Sequence, residues 1–308
     1  MIMNIYSLKK TRRRNWIAAL ILTGWAGLLA SCSEEELSKE SVITIDQVDY
    51  TPFDYWLERN YVAPYNIEFK YRYEDNESDM DYYVIPARYE AAIKLAHIVK
   101  YMCLESYDEV GGIEFTRAYF PKLIFAMGEW EYENNGTFIL GTAEGGRKIF
   151  LAGTNYVEQY VKDADELNRY YLKTIHHEFT HIMNQTVNYS ADFQLITGSG
   201  YVADKWSEPP YDDNYLPRGF ITAYAQHSHE EDFAEMLSTY VCNSEERWQR
   251  WMEMAGTEGA RLIMAKFDIV NAYMIDNFGI DLVTLRTVVQ RRQQDITMGR
   301  IDLDNLDN

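Results

Sequence analysis

The order of patterns along the chain predicts an α+β fold, with a small antiparallel sheet first and a mainly helical half after it. Three observations carry this. Strand-like runs at 122–130, 137–141 and 148–152 are separated by the turn signals Asn134-Asn135-Gly136 and Glu144-Gly145-Gly146. After residue 155 helical periodicity takes over. Strands and helices come in blocks and do not alternate, which favours one α+β unit over a doubly wound sheet.

Taken in order, the chain opens on a processing signal. Lys9, Lys10, Arg12, Arg13 and Arg14 precede an apolar run from Trp16 to Ala30, too short and wrongly flanked for a stable membrane span. It ends in Leu29-Ala30-Ser31-Cys32, which resembles a bacterial lipobox. That resemblance implies a lipoprotein signal peptide over 1–31 and lipidation of Cys32. Ser33-Glu34-Glu35-Glu36 follows within an acidic tether over 32–45, and such a run resembles the surface-export signal of Bacteroidetes lipoproteins.

Residues 46–308 form the domain proper, with an N-terminal α/β part to about 155 and a helical part over 156–295. The stretch 46–86 is aromatic and irregular, except that Ile67-Glu68-Phe69-Lys70-Tyr71-Arg72-Tyr73 alternates apolar and charged residues as a half-buried strand does. An acidic loop occupies 74–81. Helical spacing of Ile93, Ala96, Ile98 and Met102 marks a helix over 87–107, with Pro86 placed to start it. Further helices are expected at 164–186, 228–242, 244–255, 257–278 and 280–294. Between the first two of these lies a Gly-, Pro- and Asp-rich loop, 188–227, and a loop that long inside a compact domain is usually functional.

Composition narrows the classes. Hydrophobic residues make up 47% of the chain, which is globular and not disordered. Residues 1–31 carry five basic side chains and no acid, so without them the formal charge of −19 becomes −24. A body this acidic repels nucleic acid and anionic surfaces, which argues against nucleic acid as a partner. Cys103 and Cys242 lie in helical segments without C-x-x-C spacing and read as small buried apolar residues.

The chemistry is concentrated in His177-Glu178-Phe179-Thr180-His181, an H-E-x-x-H match. On a helix, His177 and His181 project from one face, so both imidazoles can reach one tetrahedral Zn²⁺. Glu178 is then placed to act on metal-bound water as general base. Leu172, Ile175, Phe179, Ile182 and Met183 form an apolar stripe along the same segment, so the motif lies mid-helix. His176 falls off the ligand face and reads as structural.

The third ligand decides the class. A metzincin would continue H-x-x-G-x-x-H, but Asn184 and Val187 stand where the glycine and last histidine belong. A second acid-bearing helix appears instead, with Glu231 and Glu235 four residues apart on one face. This is the gluzincin arrangement, in which a later glutamate completes the site and leaves one position for water. Either glutamate could bind, since acids beside a metal resemble ligands in sequence, and Ser228-x-x-Glu231 is also a capping box. His227 and His229 read as loop histidines near the site.

The segment from Tyr224 to Glu235 resembles, at matching spacing, the second helix of the lethal-factor type of gluzincin. That resemblance implies Glu231 as third ligand, Tyr224 as the donor that stabilises the tetrahedral intermediate, and Glu235 as the partner that holds a ligand histidine in its tautomer. More broadly the chain resembles the Bacteroidetes substrate-import-associated zinc metallohydrolase lipoproteins. The matching pieces are Leu29 to Cys32, Tyr61-Val62-Ala63-Pro64-Tyr65-Asn66-Ile67, the HEFTH pentapeptide with Gln185 four residues on, and Gly219-Phe220-Ile221-Thr222-Ala223-Tyr224-Ala225 leading to Glu231. The family implies a zincin-like catalytic domain, a single zinc, and a peptide or protein substrate. It also implies a lipid anchor in the outer membrane, facing the cell surface beside a TonB-dependent transporter and its SusD-like partner. The rival readings are a non-catalytic lipoprotein that captures ligand with a zinc-stabilised site, and a hydrolase of non-peptide amides or esters.

Overall fold

In the computed structural model, which describes residues 49–74, 85–132, 138–144 and 147–307, all the strands precede the helices of the C-terminal half, as expected. The signal peptide, Cys32, the tether and the Asn134-Asn135-Gly136 turn lie outside the described residues. Residues 50–308 cluster as one unit.

Six short strands are present among the described residues: β1 (Glu68–Lys70), β2 (Leu123–Ala126), β3 (Glu131–Tyr132), β4 (Phe138–Ile139), β5 (Gly141–Glu144) and β6 (Lys148–Leu151). The main sheet has the order β1-β2-β6-β5, and β3 and β4 pair separately. The α+β class stands, but the antiparallel expectation for the sheet needs correcting. β1, β2 and β6 run parallel, and β5 alone is antiparallel to its neighbour. The helical crossover between β1 and β2 (Tyr89–Val99, Glu105–Gly111 and Ile113–Tyr119) sets those two parallel, and the chain reverses between β2 and β5 and again between β5 and β6, which leaves β6 parallel to β2. Turn signals report only local pairing, here that of β5 with β6.

The strand expected at 148–152 is interior: β6 lies between β2 and β5 and is buried along its length. The edge beside the motif helix is β5. A Cβ on Gly141 would come within 2.7 Å of Thr174 Cγ2 on that helix and 2.5 Å of the Phe150 carbonyl, so glycine lets strand and helix approach closely.

Helices also enter earlier than expected. Pro52–Leu57 is a helix capped by Thr51, whose hydroxyl accepts from Asp54 N while Asp54 Oδ2 accepts from Thr51 N at 2.7 Å. It continues through a π-turn, Glu58–Val62, to Ala63–Tyr65. The segment 164–186 is helical throughout, passing through a π-turn at Asn168–Leu172 into the motif helix Lys173–Thr186. The helices expected at 244–255 and 257–278 are both present within Glu245–Phe278, separated by a sharp kink at Gly256, whose φ of 67° glycine tolerates. The last helix is Leu282–Thr297. One continuous apolar core joins sheet and helices, and both Cys103 and Cys242 are free and buried in it.

Candidate metal centre

The motif helix is fixed by its apolar stripe. Phe179 is fully buried, edge-on to Tyr107 at 5.0 Å and 4.7 Å from Phe120, and Ile175 and Met183 sink into the same core. With that face inward, His177 and His181 turn together toward the helix His229–Cys242, which packs alongside. Ser228 caps this second helix, its hydroxyl accepting from Glu231 N at 3.4 Å, and Glu231 stands in the first turn.

Three ligand atoms converge. His177 Nε2 and His181 Nε2 are 3.0 Å apart, and Glu231 Oε2 is 3.0 Å from the first and 3.3 Å from the second. Two ligands each about 2.0–2.1 Å from a tetrahedral zinc lie about 3.3 Å from one another. The three atoms therefore outline one face of such a tetrahedron, in a donor set of two imidazoles and a carboxylate that suits zinc. Among the described residues this is the one group of histidine, cysteine and acid side chains close enough to hold a metal.

Electrostatics agree with cation binding. Burial opposes charge on His177, but hydrogen bonds to Glu231 and Glu235 outweigh it and raise its pKa to about 9. Burial would also push Glu231 up, yet His177 and His181 draw its carboxyl well below the usual range. The cluster favours a positive charge, and a metal ion would compete with a proton there.

The other acid of this helix stands behind the ligands. Glu235, 2% exposed, accepts from His177 Nδ1 at 2.9 Å and is not part of the three-atom cluster. Nδ1 as donor leaves Nε2 as the coordinating lone pair. Glu178 is half-buried, and its charge acts on both His177 and Tyr224. Tyr224 lies beside the centre, 6.1 Å ring to ring from His177; burial and then Glu231, to which its hydroxyl is hydrogen-bonded, keep that phenol protonated.

The remaining histidines stay out of the cluster. His176 is buried with Nδ1 2.9 Å from Tyr107 Oη, and burial lowers its pKa to about 4. His227 stacks on Tyr224 at 5.7 Å, and His229 Nδ1 is 2.7 Å from Tyr189 Oη.

Three residues near the centre were not singled out by sequence: Lys173 and Thr222, both bonded to Glu235, and Trp206, edge-on to Tyr224 at 5.1 Å. Lys173 had a signal, since it precedes His177 by one helical turn on the same face. Trp206 and Thr222 come from the 188–227 loop, which carries the helix Asp192–Ile196 and several 3₁₀ turns and is tied down by long-range bonds such as Val202 N to Gln226 O at 2.8 Å.

An α+β unit in which two histidines of one helix meet a glutamate of a later helix has the build of a zinc metallopeptidase of the zincin type. A family described as "Putative zinc-binding metallo-peptidase" matches residues 46–283, and the chain belongs to that family. Zinc is accordingly its metal. The chain is also similar to a crystal structure from Bacteroides caccae ATCC 43185, described as a putative zinc-binding metallo-peptidase, at 40% identity and a TM-score of 0.73. That similarity covers 86% of this chain and 100% of the other. No curated protein matches.

Proposed function

We propose that the chain is a gluzincin-type peptidase in which His177, His181 and Glu231 hold one zinc and Glu178 and Tyr224 carry the proton and charge chemistry. The observation that carries the reading is the convergence of the three ligand atoms at 3.0–3.3 Å with Glu178 next to the first of them. Bound zinc supplies a Lewis acid for the scissile carbonyl and lowers the pKa of water at the site. Glu178 takes the proton of the attacking water and passes it to the leaving amine. Tyr224 donates to the carbonyl oxygen as negative charge develops there, an interaction strongest in the transition state. Glu235 keeps His177 in the tautomer that presents Nε2.

A pure capture protein needs neither Glu178 nor Tyr224, and their presence at the centre favours the enzyme. Glu178→Gln keeps shape but removes the base. Peptide-library cleavage is expected to vanish in this variant while bound zinc stays at the wild-type level; undiminished cleavage would remove Glu178 from the mechanism. Chelation of the wild-type protein separates metal-dependent hydrolysis of peptides from inert binding, and an ester or non-peptide amide panel tests the broader hydrolase.

The same proposal places the protein on the outer membrane through a lipid on Cys32, exposed at the surface and working with a TonB-dependent transporter and a SusD-like lipoprotein. Its support is the basic stretch Lys9 to Arg14, the apolar run to Ala30, the small residues before Cys32 and the acids after it. Cys32→Ala should abolish metabolic labelling with a fatty acid and release the protein from the membrane fraction. Retained label in that variant would refute the anchor.

A further inference from the structure

Glu235 is a buried carboxylate whose oxygens are shared among three parts of the fold. Lys173 Nζ donates to both, at 2.8 Å to Oε1 and 2.6 Å to Oε2. His177 Nδ1 donates to Oε1 at 2.9 Å, and Thr222 Oγ1 donates to Oε2 at 2.5 Å. The Thr222 hydroxyl in turn accepts from Ala225 N at 3.1 Å, at the 3₁₀ turn Tyr224–Gln226. One carboxylate therefore touches the first metal ligand, and through Thr222 it touches the turn that carries Tyr224.

A carboxylate this buried is costly unless its charge is matched and its lone pairs filled. Lys173 supplies the charge. Its side chain is 31% exposed against 3% for Glu235, so it reaches in from the solvent side, and it lies one turn before His177 on the same helix. Without the ammonium, Glu235 would have reason to rotate toward water or toward the metal, and either movement releases His177 Nδ1 and Thr222 together.

We propose that Lys173 is a positioning residue of the metal centre: by gripping both oxygens of Glu235 it fixes, through that one carboxylate, the orientation of His177 and the turn that presents Tyr224. The inference rests on the reading of His177, His181 and Glu231 as the zinc ligands. It assigns Lys173 no contact with substrate.

The test is the zinc dissociation constant of the full chain, measured by competition with a chromogenic chelator, beside thermal unfolding of the metal-free protein. Wild type should bind one zinc and Glu231→Gln should lose it; failure of either overturns the ligand reading itself and not the clamp alone. Lys173→Met is expected to weaken zinc about 10- to 100-fold, the usual effect of removing the support behind a ligand. Glu235→Gln should weaken it similarly. If Lys173 acts through Glu235, adding Lys173→Met to Glu235→Gln costs less than about threefold more, because the two share one path. A Lys173→Met protein that unfolds at a lower temperature yet binds zinc as wild type does would show a merely structural lysine and overturn the proposal. So would a loss that adds in full to that of Glu235→Gln. Should Lys173→Met fail to fold, Lys173→Arg keeps the cation and is expected to bind zinc within about fivefold of wild type; a loss equal to that of Glu235→Gln would overturn the proposal.

Discussion

Tyr224 and Glu178 both adjoin the three ligands, and their chemistry is separable by substitution. Tyr224→Phe removes one hydroxyl and leaves the ring packing against His177, His227 and Trp206. Its kcat is expected to fall about 100- to 1000-fold, the scale of losing one oxyanion donor, with zinc affinity unchanged. Steady-state kinetics beside a zinc titration checks this; a loss in KM alone would mean that Tyr224 binds substrate without stabilising the transition state. At this scale the sequence was informative wherever placement follows spacing along one helix, as for His177 and His181, whose ring nitrogens meet 3.0 Å apart. It was silent on Thr222 and Trp206, which reach the centre from a loop, because tertiary packing sets those contacts and no local period records them.

Among the elements, the motif helix and the Glu231 helix were legible because each has an apolar face of helical period and a recognisable start. Their mutual register was not, since it depends on what holds the second helix. Lys266, on the kinked helix Glu245–Phe278, contributes directly. Fully buried, it lies 2.5 Å from Asp232 Oδ2, donates to the Gly219 carbonyl at 2.8 Å and sits 3.9 Å over the Phe220 ring. It thus ties the residue after Glu231 to the loop that leads to Tyr224. Burial lowers its pKa and raises that of Asp232, so the pair persists only by mutual compensation. Lys266→Met leaves Asp232 buried without its partner and should cost about 3–5 kcal/mol in urea unfolding, part of it recovered by adding Asp232→Asn. A loss near zero would show that the ammonium is dispensable.

Other elements were misread for physical reasons. Strand direction in the main sheet follows from the helical crossover between β1 and β2 and from the pairing of β6 with the more distant β2, which hairpin signals cannot report. The helix at Pro52–Leu57 sits in a window dominated by aromatics, and its π-turn breaks the 3.6-residue period; its one local mark was Thr51-Pro52 followed by Asp54, a cap with proline at the first helical position. The break at Gly256 was legible, because glycine interrupts the pattern where the rod bends.

For the molecule as a whole, family membership and the fold agree on a zinc metallopeptidase, and the further claim is where the metal is held. A chain of net charge −19 offers many carboxylates, yet among the described residues one cluster alone brings two histidines and an acid to a common point. Diffraction at the zinc absorption edge from crystals of the zinc-loaded protein tests this most directly. A single anomalous peak is expected about 2.0–2.2 Å from His177 Nε2, His181 Nε2 and a Glu231 carboxylate oxygen, with Glu235 remaining on His177 Nδ1. A peak coordinated by Glu235 in place of Glu231, or zinc bound elsewhere with this cluster empty, would contradict it.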